Sequence, residues 1–502
     1  MEIGWSSESS LSTLKGDALI QIVSESEMTS VEFLAEWDSR LSGLAKLGLF
    51  EGKLQQSYIL PLEKESGFPA VILVGRGNRL LSSEDLRLMF AQIARAAMKL
   101  KAESIVVQIP TGVRDWTAQL NLGEIAHAFS EGLLLGAYIR QHYKKDQPPY
   151  AGISSAWFNL EEPLSEDEGN LWSNGLERGE GYGEGTLLAR RLTNIPGNML
   201  VPADLAVSAV EIAEKYGFPV EVLDEREIVH KGMGGLWAVG KGSSNPPRMI
   251  VIRYQGTAQW DNVIGLIGKG ITFDTGGVSL KRASGMEDMI SDMGGAAAVL
   301  GVAEALGRLR PKMNAVLVIP SAENMISANA YKPGDIITTL SGRTIEVLNT
   351  DAEGRIVLAD ALTYAQEWGA ERIIDIATLT GAVLSTLGDV ATGVVTNDEA
   401  FLKEFTAASQ RTGEKIWPLP AYPEFKDMLK SEVADVRNAT GGYGAAITAG
   451  LFIGTFAEDK PWIHLDIAGT AFLSKERGVN PKGATGVMVR TILEWMISEA
   501  ER

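Results

Sequence analysis

The chain contains no cysteine among its 502 residues. That absence excludes a disulfide-stapled scaffold, a thiolate zinc site and a cysteine nucleophile, because each of them needs a thiol. Histidine is nearly as scarce, since only His127, His142, His230 and His464 are present. No two of them are close enough for an HExxH motif, so an HExxH protease is excluded. Any metal site in this chain must therefore be held mainly by oxygen.

Positive charge is also in short supply. Lysine and arginine together number 46 against 64 acidic residues, which gives a formal net charge of −18. General binding to nucleic acid or to an anionic membrane is disfavoured, because both need clustered positive charge. The first seventeen residues show no basic segment followed by an apolar one, and no apolar run approaches the ~20 residues that cross a bilayer. We expect a soluble cytoplasmic protein without a signal peptide.

The length favours two domains, and strands alternate with helices along most of the chain. The expected fold class is α/β, with a smaller N-terminal α/β domain at 1–165 and an interdomain connection at 166–190. A larger C-terminal domain at 191–502 is expected to carry a mixed, mainly parallel sheet flanked by helices. Five glycines within residues 175–185 disfavour a long rigid helix there. The short apolar run at 236–239 is interpreted as a strand.

One polar cluster lies at residues 349–355, which read Asn-Thr-Asp-Ala-Glu-Gly-Arg. An alternating run at 344–348 predicts a strand before it, and apolar spacing from 356 to 368 predicts a helix after it. In open α/β sheets, ligands bind where strands give way to helices. A helix N-terminus also tolerates negative charge. This turn is therefore the first candidate for a functional site.

A second cluster comprises residues 268–277 and 292–295, with sequences Gly-Lys-Gly-Ile-Thr-Phe-Asp-Thr-Gly-Gly and Asp-Met-Gly-Gly. Lys269 and Asp274 follow a predicted strand, and Asp292 precedes a predicted helix. The glycines beside these charges allow the backbone to bend sharply and to approach a ligand closely. These charges are therefore also expected at strand-to-helix turns.

The two clusters together hold four acids that would repel one another if they met in one cleft. Two divalent cations would balance four negative charges, and oxygen-rich ligation suits Zn²⁺, Mn²⁺ or Mg²⁺. Such a centre can deprotonate water and polarise a carbonyl. Lys281 and Arg355 would remain to face the substrate or developing negative charge. The four acids are Asp274, Asp292, Asp351 and Glu353.

Each feature also has an ordinary structural interpretation when it stands alone. An Asp-x-Glu turn is usually a capped helix start, and a Lys-x4-Asp pair usually lies on the surface. His464 lies inside a predicted strand and is interpreted as a core histidine, and Met289 is by default a core residue. The joint pattern favours a functional site over these structural roles, because two glycine-rich turns place four acids and three bases at one sheet edge.

Together these segments resemble the signature of the leucyl (cytosol) aminopeptidase family of metallopeptidases. The resemblance runs from about residue 192 to residue 490 and includes Ala-Thr-Leu-Thr-Gly at 377–381 and His-Leu-Asp-Ile-Ala-Gly-Thr at 464–470. The first 170 residues match weakly. The resemblance implies an N-terminal macro-domain-like module, a di-metal C-terminal domain and a homohexamer.

The resemblance also implies a role for each residue of the metal site. Asp274 and Glu353 would each touch both of two divalent ions, Mn²⁺ or Zn²⁺. Lys269 and Asp292 would complete one metal site, and Asp351 would complete the other. Lys269 would have to act as a neutral amine, which requires a lowered pKa.

The remaining implied roles concern catalysis and substrate binding. Lys281 would hold the scissile carbonyl oxygen, and Arg355 would position a bicarbonate ion as the proton shuttle. The resemblance assigns the pocket for the first side chain to Met289, Thr378, Gly381 and Ala468. It assigns substrate positioning to Asn349 and the carbonyl of Leu379.

The expected function is release of N-terminal residues from peptides, with a preference for leucine and other apolar residues. Two alternatives stay open. One is a di-metal hydrolase of another substrate, such as a Cys-Gly dipeptide or a phosphoester. The other is a non-catalytic role as a DNA-binding protein or a chaperone, although the acidic balance disfavours nucleic acid.

Overall fold

The computed structural model describes residues 1–7, 13–30, 39–62, 67–146 and 150–501. These residues form two compact units, each with its own sheet. The first unit comprises Met1–Gly183 with Arg477–Asn480, and the second comprises Glu184–Glu476 with Pro481–Arg502. The domain limits expected from the sequence, at residues 165 and 191, remain predictions.

The first unit contains a six-stranded sheet in the order β1-β6-β5-β2-β4-β3. All its neighbouring strands are parallel except β3, which runs antiparallel to β4 at one edge. Its strands are β1 (Glu2–Ser6), β2 (Ala18–Val23), β3 (Ser57–Pro61), β4 (Ala70–Gly75), β5 (Ser104–Ile109) and β6 (Ser155–Leu160). Its helices are α1 (Glu25–Thr29), α2 (Ser39–Lys46), α3 (Ser83–Lys99) and α4 (Leu122–Gly136), and α5 (Glu166–Thr193) begins in it.

Strand β2 shows why the core of the first unit has two sides. Ile20 and Ile22 join one hydrophobic cluster, and Leu19 and Val23 join another. Successive strand residues point to opposite faces, so a strand that is apolar throughout must be covered on both. The continuous apolar sequence of β2 therefore fits a sheet that is covered on both faces.

The prediction that dense glycine disfavours a long helix at 175–185 is wrong, because α5 runs unbroken for 28 residues. The glycines permit close packing of this helix. A Cβ at Gly175 would lie 2.2 Å from the Gly123 carbonyl oxygen, and one at Gly179 would lie 2.4 Å from the His127 carbonyl oxygen. Close packing outweighs the low helix propensity of glycine here, because only glycine lets the two backbones approach this closely.

The second unit is built on a larger mixed sheet. Its helices are α6 (Pro202–Tyr216), α7 (Glu225–Lys231), α8 (Gly234–Gly240), α9 (Gly294–Leu309), α10 (Glu353–Glu367), α11 (Gly381–Leu387), α12 (Glu399–Thr412), α13 (Pro423–Asp427), α14 (Ala445–Gly454) and α15 (Val489–Ala500). Its main-sheet strands are β7 (Val220–Leu223), β8 (Arg248–Gln255), β9 (Val263–Gly268), β10 (Gly270–Asp274), β11 (Asn314–Asn324), β14 (Ala370–Ala377), β15 (Thr392–Thr396), β16 (Ile416–Pro418) and β18 (Trp462–Asp466). Two small sheets use β12 (Ile336–Thr338), β13 (Thr344–Glu346) and β17 (Val436–Arg437), and β19 (Phe472–Leu473) with β20 (Gly483–Ala484).

The main sheet has the strand order β16-β15-β18-β14-β9-β11-β8-β7, and β10 pairs with β11 beside it. The central strands β18, β14, β9 and β11 are mutually parallel, whereas β8, β7 and β15 pair in the antiparallel sense. Every residue of β9 and β11 is buried. The predicted α/β class with a mixed, mainly parallel sheet is confirmed. Parallel strands bring their carboxyl ends to one edge, and that edge carries the candidate site.

The interpretation of residues 236–239 as a strand is wrong, because they lie in α8. A short apolar run looks the same in a buried strand and in a buried helix, so its sequence alone does not separate them. The first turn of α8 is anchored by the Asp360 carboxylate, which accepts a hydrogen bond from the Leu236 amide at 2.9 Å. That contact spans 124 residues and is not visible in the local pattern.

One segment, Met286–Leu309, is long and apolar enough to cross a membrane by length and composition alone. No apolar run of this length was expected from the sequence. Of its apolar stretch, 89% is buried inside the protein. This burial is typical of the core helix of a soluble protein.

Candidate active site

The site residues follow the carboxyl ends of the central strands. Lys269 follows β9, Asp274 ends β10, Thr378 follows β14 and Ala468 lies two residues beyond β18. Because these strands are parallel neighbours, their ends meet at one edge of the sheet. Glu353 reaches the same place as the first residue of α10.

A cavity of about 1020 Å³ opens at this edge. All thirteen residues predicted for the site line it, although they are spread over 200 positions of the chain. They are Lys269, Asp274, Lys281, Met289, Asp292, Asn349, Asp351, Glu353, Arg355, Thr378, Leu379, Gly381 and Ala468.

Lys269 is held between two acids at the base of the cavity. Its Nζ lies 2.9 Å from Asp292 Oδ2 and 2.8 Å from Glu353 Oε1, and it donates to the Thr378 carbonyl oxygen at 3.0 Å. Only 2% of Lys269 is exposed. A Cβ at Gly354 would lie 2.6 Å from Lys269 Cε, so the glycine leaves room for this amine. Lys269 therefore has little freedom to move.

Lys281 pairs with the other two acids. Its Nζ lies 2.7 Å from Asp274 Oδ2 and also contacts Asp351 Oδ1. The second oxygen of Asp274 accepts hydrogen bonds from the Gly276 amide and from Asn324 Nδ2, both at 2.8 Å. The Asp274 carboxylate is thus fixed in orientation by neutral donors on one side and by an ammonium group on the other.

Arg355 is placed by a buried asparagine. Its Nη1 donates to the Asn438 carbonyl oxygen at 2.7 Å. The side chain of Asn438 donates to the Asn349 carbonyl oxygen at 2.7 Å and accepts from the Leu348 amide at 2.8 Å. Asn438 therefore joins the arginine to the turn that carries Asp351 and Glu353.

Burial governs the protonation of this cluster. It raises the pKa of Asp292, Asp351 and Glu353 above their ordinary range, and the charge of Asp274 adds to the shift at all three. Burial opposes the charge of Lys269, but Asp292, Glu353 and Asp274 outweigh it and raise the pKa of Lys269. The site therefore holds several carboxyl groups that resist ionisation because they are buried close to one another.

The guanidinium beside the cluster is also affected by its surroundings. Burial lowers the pKa of Arg355 to about 10, although Glu353, Asp466 and Asp351 oppose that change. At neutral pH the group stays charged. It therefore supplies a positive charge next to the acids.

The donor set fits divalent cations. Asp274, Asp351 and Glu353 each offer an oxygen, and these oxygens all lie within 4.8 Å of one another. Glu353 Oε2 is buried, and within the described part of the chain no hydrogen-bond donor reaches it. Hard carboxylate oxygens at this spacing are suitable ligands for Mn²⁺, Mg²⁺ or Zn²⁺.

The sequence does not reveal the neutral residues that orient the charged ones, above all Asn324 and Asn438. Asn324 and Asn438 carry no motif of their own, so only their contacts reveal them. Asp466 lies within the segment 464–470 that carries the resemblance, but its spacing indicated only a strand. His464 is buried with Nδ1 2.6 Å from Asp375 Oδ1, as the interpretation of a core histidine predicts.

Comparison with known proteins gives the same architecture. Residues 187–493 match the catalytic-domain model of the cytosol aminopeptidase family, and residues 22–147 match its N-terminal-domain model. A probable cytosol aminopeptidase of Bacillus subtilis is 46% identical over 459 residues, covering 91% of this chain and 90% of that protein. One of Alkaliphilus metalliredigens is 42% identical over 492 residues, covering 96% and 97%.

Solved structures agree along the whole chain. A tomato leucine aminopeptidase variant superposes with a TM-score of 0.86 at 33% identity, covering 99% of this chain and 96% of that one. The bottromycin maturation enzyme BotP in complex with Mn superposes with a TM-score of 0.83 at 31% identity, covering 96% and 99%.

An oxygen-rich cluster of this kind, at the carboxyl edge of a mixed sheet, defines a metal-dependent hydrolase. The chain belongs to the cytosol aminopeptidase family, whose members are metal-dependent aminopeptidases that act on peptides.

Proposed function

We propose that this protein removes N-terminal residues from peptides, with a preference for leucine and other apolar residues, at a centre of two divalent metal ions. The observation that carries the proposal is the convergence of Lys269, Asp274, Asp292, Asp351 and Glu353 in one cavity with Lys281 and Arg355. A tomato leucine aminopeptidase variant shares the fold, which supports leucine as a preferred residue.

The proposed ligands divide between two ions, Mn²⁺ or Zn²⁺. Asp274 and Glu353 would be ligands of both ions, Lys269 and Asp292 would complete one site, and Asp351 would complete the other. Bound ions supply Lewis acidity and a lowered pKa for coordinated water. The Mn complex of a structural relative supports manganese. Lys269 is a ligand only as a free amine, so its proton must leave when the site is loaded.

The cations that are not ligands act on the substrate. Lys281 donates a hydrogen bond to the scissile carbonyl oxygen and stabilises the negative charge that develops there. Its position between Asp274 and Asp351 supports this role, because it places the amine beside the metal ligands. Arg355 would hold a bicarbonate ion, which would supply a proton shuttle at a site without a histidine base.

The substrate is held by the rest of the cavity wall. The Leu379 carbonyl and Asn349 position the peptide. The first side chain enters a pocket lined by Met289, Thr378, Gly381 and Ala468. An apolar, small-residue lining of this kind favours leucine through the burial of its methyl groups.

We also propose that the protein is a cytoplasmic homohexamer with a peptidase domain from 191 onwards. The names of the cytosol aminopeptidase relatives support the location. Family membership supports the assembly, and the catalytic-domain match at 187–493 supports the domain. Light scattering at several protein concentrations tests the assembly. A mass near six times that of the chain is expected, and a stable monomer would contradict it.

The function is tested by leucine release from a leucyl anilide after chelator treatment and after return of Mn²⁺ or Zn²⁺. Release is expected to need metal and to be lost in Glu353→Gln. Glu367→Gln is the matched control, because Glu367 lies at the exposed end of the same helix. Phosphoester and Cys-Gly hydrolysis are measured in parallel. Metal-dependent turnover of either one without leucine release would overturn the proposal.

A further inference from the structure

Asp466 lies behind the cavity wall and takes no part in the site as described so far. It ends β18 and pairs with Ala377, the last residue of the neighbouring parallel strand β14. Each strand continues directly into a segment that lines the cavity: Thr378 to Gly381 after β14, and Ala468 after β18. Asp466 itself is 2% exposed and is not part of the cavity wall.

The Asp466 carboxylate accepts hydrogen bonds from both segments. Its Oδ1 accepts from the amides of Leu379 at 3.1 Å, Thr380 at 3.4 Å and Ala468 at 3.2 Å. Its Oδ2 accepts from Thr380 Oγ1 at 2.7 Å. One side chain therefore links two pieces of backbone that follow different strands.

These hydrogen bonds connect to the rest of the site through the same loop. Thr380 Oγ1 also accepts from the Val383 amide at 3.0 Å and so caps α11. On the other side, Thr378 Oγ1 donates to Asp292 Oδ1 at 2.7 Å. The loop is thus held by Asp466 behind it and by a metal-site acid in front of it.

We propose that Asp466 is a positioning residue that sets the shape of the pocket for the first side chain of the substrate. This inference rests on the proposed function, because three of the four pocket residues lie on the two segments that Asp466 joins. Without its carboxylate, three amides and one hydroxyl lose their acceptor, and the two segments can separate. A leucine side chain fills the pocket and depends on its width, whereas alanine reaches less of it.

The experiment compares kcat and KM for leucyl and alanyl anilides in Asp466→Ala and Asp466→Asn. We expect Asp466→Ala to lower the leucine-to-alanine ratio of kcat/KM by about tenfold, mainly through KM for leucine. Asp466→Asn should stay within about threefold of the wild type, because its oxygen still accepts the amides and its NH₂ can donate to Thr380 Oγ1.

Asp360→Ala is the control for a purely structural effect. Asp360 is also a fully buried carboxylate that joins two backbone segments, through the amides of Leu236 at 2.9 Å and Leu340 at 2.8 Å. None of these three residues lines the cavity. This variant should lower the melting temperature and leave the substrate ratio unchanged. A folded Asp466→Ala protein with the wild-type ratio would overturn the inference.

A second readout separates the inference from the proposed function. Calorimetry with the manganese-loaded protein gives the affinities for leucine hydroxamate and alanine hydroxamate, and Asp466→Ala should lower their ratio as well. If the wild type releases no amino acid, the proposed function fails while this ratio still tests Asp466. If Asp466→Ala does not fold, Thr380→Val should lower both ratios by about two- to fivefold and Thr380→Ser should not. Unchanged ratios in Thr380→Val would reject the inference.

Discussion

At Gly354 the absence of one methyl group determines where the Lys269 amine can lie. A Cβ at this position would be 2.6 Å from Lys269 Cε and 2.7 Å from its Nζ. Lys269 has little freedom to yield, because Asp292 and Glu353 hold its amine from two directions. Gly354, in the turn at 349–355, therefore leaves the space that the Lys269 side chain occupies at the end of β9.

We predict that Gly354→Ala keeps the fold and loses most of the activity. Alanine favours a helix by about 1 kcal/mol over glycine, which offsets part of the local strain. A displacement of about 1 Å at a reacting group can cost about 100-fold in rate, and a loss of that order is expected in leucyl anilide turnover. Calorimetry should show weakened Mn²⁺ binding in parallel.

The control for this prediction is Gly43→Ala in α2, where a Cβ meets nothing within 4 Å. It should match the wild type in both measurements. Wild-type turnover in Gly354→Ala would show that Lys269 has more freedom than its contacts indicate.

The charged cluster around the cavity could be predicted from the sequence, but the two asparagines that orient it could not. Asp274 and Glu353 stand out only in the joint pattern, in which two glycine-rich turns place four acids and three bases at one sheet edge. Asn438 donates to the Asn349 carbonyl across 89 residues, and Asn324 donates to Asp274 across 50. Such roles depend on which residues the fold brings together, and an asparagine has the same local pattern in any loop.

At the scale of secondary structure, the strand before residue 349 and the helix after residue 355 were predicted well, whereas the segments 236–239 and 175–185 were not. The helix Pro202–Tyr216 has proline at its first position and ends at Gly217 with φ +72°, so its limits follow from the sequence. The apolar run at 236–239 is too short to separate strand from helix. The prediction at 175–185 fails for another reason, because the close contacts that require glycine in α5 are made with a different helix.

We predict that Gly179→Ala destabilises the protein. The new Cβ would lie 2.1 Å from Ser130 Oγ and 2.4 Å from the His127 carbonyl oxygen, so the two helices must move apart. Overpacking of this kind typically costs about 1–3 kcal/mol, which exceeds the gain of about 1 kcal/mol in helix propensity. A lowered melting temperature in scanning calorimetry is the expected result.

Asn174→Ala is the matched substitution, because Asn174 lies on the exposed side of the same helix. It should leave the melting temperature unchanged or raise it slightly. Equal melting temperatures for Gly179→Ala and the wild type would mean that the helix spacing adjusts without strain.

At the scale of the whole molecule, metal binding and folding are linked. A ligand that binds only the folded state stabilises it by about 2.7 kcal/mol at a free concentration of 100 times Kd. We predict that Mn²⁺ raises the melting temperature of the wild type and of Glu367→Gln, but much less that of Glu353→Gln. Calorimetric scans with and without Mn²⁺ measure this, and Mg²⁺ serves as a comparison ion. An equal rise in Glu353→Gln would place the bound metal elsewhere.

The order in which the site residues occur along the chain has a consequence for biosynthesis. The proposed metal ligands all lie before residue 354, and the loop at 378–381 follows them. Asp466, which ends β18, and Ala468, which lines the cavity two residues further on, come last. A nascent chain on the ribosome therefore carries the proposed metal ligands about a hundred residues before it carries the residues proposed to shape the pocket. The proposed selection among peptides therefore depends on a strand that is synthesised after the proposed ligands.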